Sequence, residues 1–123
     1  MISFETYKLL HILGVVILFA GLGGLTLTVA NGATKQTSGA RRTIAMAHGI
    51  GVFVVLLGGF GALARLGMKD GLPGWILVKL AIWLVVAGLV AVPYRKPELA
   101  KPIFWLLPVL AAVAIGMALW KPF

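Results

Sequence analysis

The sequence lacks cysteine altogether and has only three acidic residues among its 123. Without cysteine there can be no disulfide framework and no thiolate metal site. The three carboxylates, Glu5, Asp70 and Glu98, are too widely dispersed to form a paired-acid site. No Walker loop and no HExxH motif is present either. These absences exclude paired-carboxylate, P-loop and clustered-metal chemistry.

Polar residues in general are scarce. Hydrophobic residues make up 61% of the chain and charged residues only 11%. A soluble domain of this length could not bury so much apolar surface, because small domains keep a large fraction of their area exposed. We therefore expect lipid to be the solvent for most of the chain, which has the length of a single domain.

The hydrophobic residues fall into four long runs. They cover residues 9–29, 44–64, 75–92 and 103–120. Each run is about 18–21 residues, or roughly 27–32 Å of helix, which matches the hydrocarbon core of a bilayer. Short connections between helices favour antiparallel neighbours. The sequence predicts an all-α protein, a single transmembrane domain over 1–123 that forms an up-down-up-down four-helix bundle.

The basic residues lie between the apolar runs and not in one surface patch. Those of the first and third connections are Lys35, Arg41, Arg42, Arg95, Lys96 and Lys101, and those of the other side are Lys8, Arg65, Lys69 and Lys121. The larger number of Lys and Arg residues in the first and third connections favours a cytoplasmic position for these connections. Both termini would then lie on the non-cytoplasmic side, and we expect the membrane to be a bacterial inner membrane. No basic–aromatic motif accompanies the charge of +8, so nucleic-acid binding is not expected.

His11 opens the first apolar run, where a histidine is costly and by default suggests function. It lies about 3 Å into the run at 1.5 Å per residue. In an up-down bundle the third run starts on the same side and the second ends there. That topology places Lys79, about 6 Å deep, and Arg65 near His11. We predict a site near one membrane face built from these three residues, with Glu5 and Asp70 as possible negative partners.

The other histidine, His48, enters the second run from the opposite face. Its Cα should lie on the order of 20 Å from the level of His11. Two histidines that bind one haem iron need ring nitrogens about 4 Å apart. A bis-histidine site within one chain is therefore not expected. His48 is interpreted as structural or interfacial, with a second site on the cytoplasmic face as the alternative.

Each predicted site residue also has a simpler interpretation. His11 is either an interfacial histidine bonded to a neighbouring helix, or a haem-iron ligand or proton-handling group. Lys79 either extends its ammonium to the lipid headgroups, or faces the bundle, where it pairs with an anion or donates its nitrogen to iron. Arg65 either anchors the end of its span or clamps a propionate or carboxylate.

Two short segments carry a resemblance to a known group. Residues 7–11, YKLLH, followed by small residues at 20–21, resemble the start of helix one in the HemJ-type protoporphyrinogen oxidases and their CopD- and SirB-like relatives. Residues 74–80, GWILVKL, are similar to the "GW…K" segment that opens helix three in that group. In the HemJ group the histidine and lysine are associated with a b-type haem, which the resemblance carries over to His11 and Lys79.

Three hypotheses about function follow, and the sequence leaves open whether the protein is an enzyme. In the first, it is a small membrane haem-b redox protein with His11 as ligand, Lys79 as second ligand or near neighbour, and Arg65 on a propionate. Its electron donor would be lipophilic, such as a quinol or porphyrinogen. In the second, it is a non-catalytic accessory subunit whose glycine-rich helices pack against a larger membrane complex or another copy. In the third, it is a small-molecule or metal-ion permease.

Overall fold

The computed structural model describes residues 2–67 and 71–121, and the predicted all-α class is confirmed over this part of the chain. The helices are α1 (Phe4–Ala30), α2 (Arg41–Leu66), α3 (Gly74–Leu89), α4 (Val92–Arg95), a 3-10 turn (Pro97–Leu99) and α5 (Ala100–Trp120). Helices α1 and α2 and the segment Pro97–Trp120 are long and apolar enough to cross a membrane, and α3 is shorter at 16 residues. Lys69 and Asp70 lie outside the described residues.

The helix ends have local chemical causes. The side chain of Ser3 accepts a hydrogen bond from the backbone N–H of Thr6 and so caps the start of α1. Helix α2 ends at Gly67, whose φ of 71° lies in the left-handed region that glycine adopts readily. Helix α3 ends at Leu89, three residues before the end of the predicted span. Pro93 follows shortly after and has no N–H with which to continue a helix.

Helices α1 and α2 pack against each other along their whole length through glycines. A Cβ added to Gly58 would lie 2.5 Å from the backbone nitrogen of His11, and one added to Gly51 would lie 2.8 Å from the Cα of Leu18. A Cβ on Gly14 would lie 2.7 Å from the backbone nitrogen of Val55. These pairings show that the two helices are antiparallel and that their backbones are in direct contact, as small residues permit.

The core lies between four helices. Its buried members are Leu18, Leu22, Leu25, Val29, Ile44, Val55, Val86, Ala100 and Leu107. Helix α1 packs mainly against α2 and α5, and α3 packs against α5 and, less extensively, α2. Helices α1 and α3 thus share the same two packing partners, α2 and α5.

The outward surface is apolar. On α2 the exposed side chains include Met46, Ile50, Phe53, Leu57 and Phe60, which recur every three to four residues. This spacing places them along one face of the helix. A soluble monomer rarely exposes a continuous apolar stripe of this length.

Candidate functional site

His11 is half-buried and its ring is held by the backbone of α2. Its Nδ1 lies 2.8 Å from the carbonyl oxygen of Val55. Because a carbonyl oxygen can only accept, Nδ1 carries the proton and donates it, and the lone pair of the neutral ring is on Nε2. Within the described residues Nε2 forms no hydrogen bond. A histidine held through one nitrogen in this way presents the other as a metal ligand or proton acceptor.

Two consecutive glycines of α2 shape the space beside His11. Gly58 contacts the backbone of His11, and a Cβ added to Gly59 would lie 3.1 Å from Nδ1 and 3.2 Å from Cε1 of the ring. A side chain at Gly58 would push the backbone of α1 away from α2, and one at Gly59 would crowd the imidazole itself. The glycines therefore set the distance at which Nδ1 reaches the Val55 carbonyl.

Lys79 lies at the same end of the protein as His11. Residues 48 and 52 of α2 contact residues 87 and 83 of α3, so the same pairing continued along the two helices brings Lys79 to the level of Leu56. His11 lies at the level of Gly58. The two levels differ by about two residues, which is less than one helical turn.

The ammonium of Lys79 points back along α3 towards its start. Its Nζ lies 6.0 Å from the centre of the Trp75 ring, and the Nζ of Lys121, just after α5, lies 5.3 Å from the same ring. The ammonium groups of Lys79 and Lys121 therefore both lie near the Trp75 ring, an arrangement in which an anion would relieve their mutual repulsion. Tyr7 near the start of α1 lies against Gly61 near the end of α2, and Lys121 lies near the start of α3. Because α2 and α3 are antiparallel, both ends of the described chain lie at the same end of the protein.

Arg65 is exposed in the last turn of α2. Glu5 is exposed in the first turn of α1, and Asp70 lies outside the described residues. No three histidine, aspartate or glutamate side chains come together in ranges 2–67 and 71–121. A bare metal ion therefore has no ligand set there, whereas a haem iron brings its own four nitrogens and needs one or two ligands from the protein.

His48 does not meet His11. It lies beside Gly21 of α1, ten residues from His11, or about 15 Å along the helix. Its Nε2 donates to the carbonyl of Ala87 at 2.9 Å, and Trp83 Nε1 donates to the carbonyl of Val52 at 3.2 Å. These two bonds tie α2 to α3 and give His48 a structural role. Its Nδ1 is buried without a hydrogen-bond partner in the described chain.

Two clefts open on the surface away from His11 and Lys79. One, of about 360 Å³, lies between α1 and α5 and is almost wholly apolar. The other, of about 300 Å³, lies at the opposite end of the protein from Lys79 and is lined by Lys35, Arg41, Tyr94 and Arg95 over an apolar floor. In the sequence, Lys35, Arg41 and Arg95 indicate only the orientation of the helices in the membrane. Their convergence depends on how the connections fold back over α2 and α3.

Comparisons with family models, curated proteins and solved structures gave no match to this chain. The resemblance to the HemJ-type group therefore depends only on residues 7–11, the small residues at 20–21, and residues 74–80.

Proposed function

We propose that the protein is an integral membrane four-helix bundle that binds haem b near one membrane face and takes part in electron transfer, with His11 as an iron ligand. The hydrogen bond from His11 Nδ1 to the Val55 carbonyl carries this proposal, because it leaves Nε2 available and the ring oriented. When bound, haem b would supply one-electron exchange with a lipophilic donor such as a quinol or porphyrinogen. The chain itself would supply ligation, burial and charge.

Membrane insertion is supported by the helix lengths and by the apolar outer surface. Helix α3, at about 24 Å, is somewhat shorter than a bilayer core, and a local adjustment of lipid or tilt accommodates such a mismatch. Its antiparallel pairing with α2 through His48 and Trp83 supports a full crossing. The charge bias supports a bacterial inner membrane with both termini on the non-cytoplasmic side.

The surroundings of His11 suit an anionic, planar ligand. Lys79 comes from α3 and lies at the same level. Its ammonium over Trp75 supports a role beside an anionic edge such as a propionate more than a role as second iron ligand. Arg65, at the end of α2, would lie at the rim and neutralise a second carboxylate.

We infer that the ligand enters the protein at the boundary between α2 and α3. Both described hydrogen bonds across this boundary, at His48 and Trp83, lie in the half remote from Lys79. Neither of these two hydrogen bonds holds the half of α3 that begins at Gly74. Neither surface cleft reaches His11, so we infer that α3 moves away from α2 at this end when the ligand enters.

Paired histidine variants test the assignment. Full-length protein is purified in mild detergent from haem-replete cells, and the haem absorbance per protein is compared for the wild type, His11→Ala and His48→Ala. We expect His11→Ala to lose the haem and His48→Ala to retain it. Retention of a wild-type spectrum by His11→Ala would contradict the assignment of His11 as ligand.

A second candidate function is supported by one observation on α2. Ala45 is exposed, and Gly49, one turn later, has no other atom within 4 Å of the place its Cβ would take. Two small residues four apart on an open face are typical of a helix that packs against another membrane helix. In this alternative the protein is an accessory subunit, and this face contacts a larger complex or a second copy.

The two candidates are separated by a substitution on that face. Gly49→Leu should release a subunit that co-purifies with the wild-type protein in mild detergent, whereas Ala112→Leu on the exposed face of α5 should not. If neither substitution changes what co-purifies, the Ala45/Gly49 face is not the contact.

A further inference from the structure

The basic cleft is defined by Lys35, Arg41, Tyr94 and Arg95. Lys35 comes from the connection after α1, Arg41 begins α2, and Tyr94 and Arg95 lie in α4. The floor is formed by the apolar side chains Leu25, Ile44 and Val90. Three separate parts of the chain thus converge on one opening, at the end of the molecule remote from His11.

The electrostatic character of the cleft is uniformly positive. Three cationic side chains line it, and no aspartate or glutamate of the described ranges does. Helix α2 begins at Arg41, and its N-cap residue Ala40 provides no side-chain cap, so the positive end of the helix dipole is also at this end of the protein. A ligand that matches this opening carries negative charge.

Tyr94 adds an independent observation. Its hydroxyl oxygen is buried and has no hydrogen-bond partner among the described residues. A buried hydroxyl without a partner is unfavourable, and native proteins usually satisfy it with a protein group, a water or a ligand. Because Tyr94 lines the cleft, a ligand bound there would lie beside the residue whose hydroxyl lacks a partner.

The apolar floor narrows the class of ligand further. Ala45, Val90 and Ala91 also line the cleft and are not fully buried, so they leave accessible hydrocarbon surface beside the cationic rim. A small inorganic anion would leave this surface uncovered. A molecule with a phosphate head and an apolar tail would satisfy both parts.

We propose that the basic cleft binds the phosphate headgroup of an anionic phospholipid, with Lys35, Arg41 and Arg95 around the phosphate and the Tyr94 hydroxyl donating to one of its oxygens. Basic pockets between helices at the cytoplasmic surface are suited to anionic headgroups. Guanidinium groups also bind phosphate oxygens in a bidentate manner. The inference uses the proposed membrane insertion but not the haem site.

The test uses the full-length protein in mild detergent and native mass spectrometry. The protein is titrated with phosphatidylglycerol, with phosphatidylcholine, and with phosphatidylglycerol in the presence of inorganic phosphate. We expect phosphatidylglycerol to bind about tenfold more tightly than phosphatidylcholine, which is the size of one charge-assisted contact. Equal binding of the two lipids would overturn the proposal. Full displacement of the lipid by an equal concentration of inorganic phosphate would show a free-anion site and overturn the lipid assignment.

Charge-matched neighbours provide the control variants. Arg41→Gln and Arg95→Gln should each weaken phosphatidylglycerol binding about tenfold, and Tyr94→Phe should weaken it several-fold. Arg42→Gln and Lys96→Gln remove the same charge from adjacent exposed positions that do not line the cleft, so binding should stay within about twofold. An equal loss of phosphatidylglycerol binding in the two sets of variants would indicate a general effect of surface charge and would contradict the proposed binding site.

The readout is independent of the haem proposal, because it measures lipid mass on the protein and not absorbance. Arg41 and Arg95 are exposed, so their substitution leaves the core intact. Thermal unfolding of each variant confirms that it is folded before binding is measured.

Discussion

The imidazole of His11 and the main-chain carbonyl of Val55 are joined by a hydrogen bond of 2.8 Å between α1 and α2. The bond fixes the proton on Nδ1 and so leaves the lone pair of the neutral ring on Nε2. It depends on the close approach of the two helix backbones, which the glycines of α2 permit. The contact between the helix backbones is thus also the one that orients the His11 ring.

Gly58→Ala should destabilise the protein. Its Cβ would lie 2.5 Å from the backbone nitrogen of His11, which cannot move aside without separating α1 from α2. We expect a loss of about 1–3 kcal/mol in the free energy of unfolding, measured in detergent.

The matched control for this substitution is Gly49→Ala on the same helix, where the new Cβ meets no other atom within 4 Å. It should change the stability by less than about 1 kcal/mol, in the stabilising direction, because alanine favours helix over glycine. Similar losses in both variants would contradict the proposed backbone contact at Gly58.

The hydrogen bond of Trp83 to the Val52 carbonyl should contribute about 1 kcal/mol to stability. Trp83→Phe keeps an aromatic ring but removes the donor, so it should lower the melting temperature. Trp105 is 70% exposed and serves as the control, since Trp105→Phe should have little effect. Haem absorbance should be the same in both variants, because Trp83 lies in the half of the α2–α3 boundary remote from the proposed site.

Lys79→Met should lower the reduction potential of the bound haem. A nearby cation disfavours the oxidised iron, which carries the additional positive charge, so removing the cation stabilises the oxidised form. The shift should be on the order of tens of millivolts, as expected for one charge at intermediate distance. A redox titration followed by absorbance measures it. Lys101→Met, at the other end of the protein, should leave the potential unchanged, and an equal shift there would show that the effect is not local.

The proposed topology can be tested by cysteine labelling, because the native sequence has no cysteine to interfere. Ser3 and Thr37 are exposed at opposite ends of α1. In intact bacterial cells with a permeabilised outer membrane, a membrane-impermeant maleimide should label Ser3→Cys but not Thr37→Cys. Labelling of Thr37→Cys alone would reverse the orientation, and labelling of both before lysis would contradict a spanning α1.

The helices could be predicted from the sequence because long apolar runs in lipid leave the backbone few other ways to satisfy its hydrogen bonds. The predicted end of α3 was less accurate. The apolar run continues to Val92, but the helix ends earlier because Pro93 has no N–H with which to continue it. The common level of His11 and Lys79 followed from counting residues along antiparallel helices.

The partners of the two histidines could not be predicted. Every helical residue offers a carbonyl, and the choice of Val55 for His11 and Ala87 for His48 depends on helix rotation and separation, which are set by packing. The direction of the Lys79 ammonium towards Trp75 also depends on helix rotation and separation. The basic cleft was missed because Arg41 and Arg95 are far apart in sequence and meet only through the arrangement of α2 and α4.

The central claim is most directly tested by the absorption spectrum of the full-length protein purified in mild detergent from haem-replete cells, recorded oxidised and then reduced with dithionite. The account predicts a Soret band that shifts on reduction, together with the visible bands of a b-type haem. Pure, folded protein without Soret absorbance would contradict it.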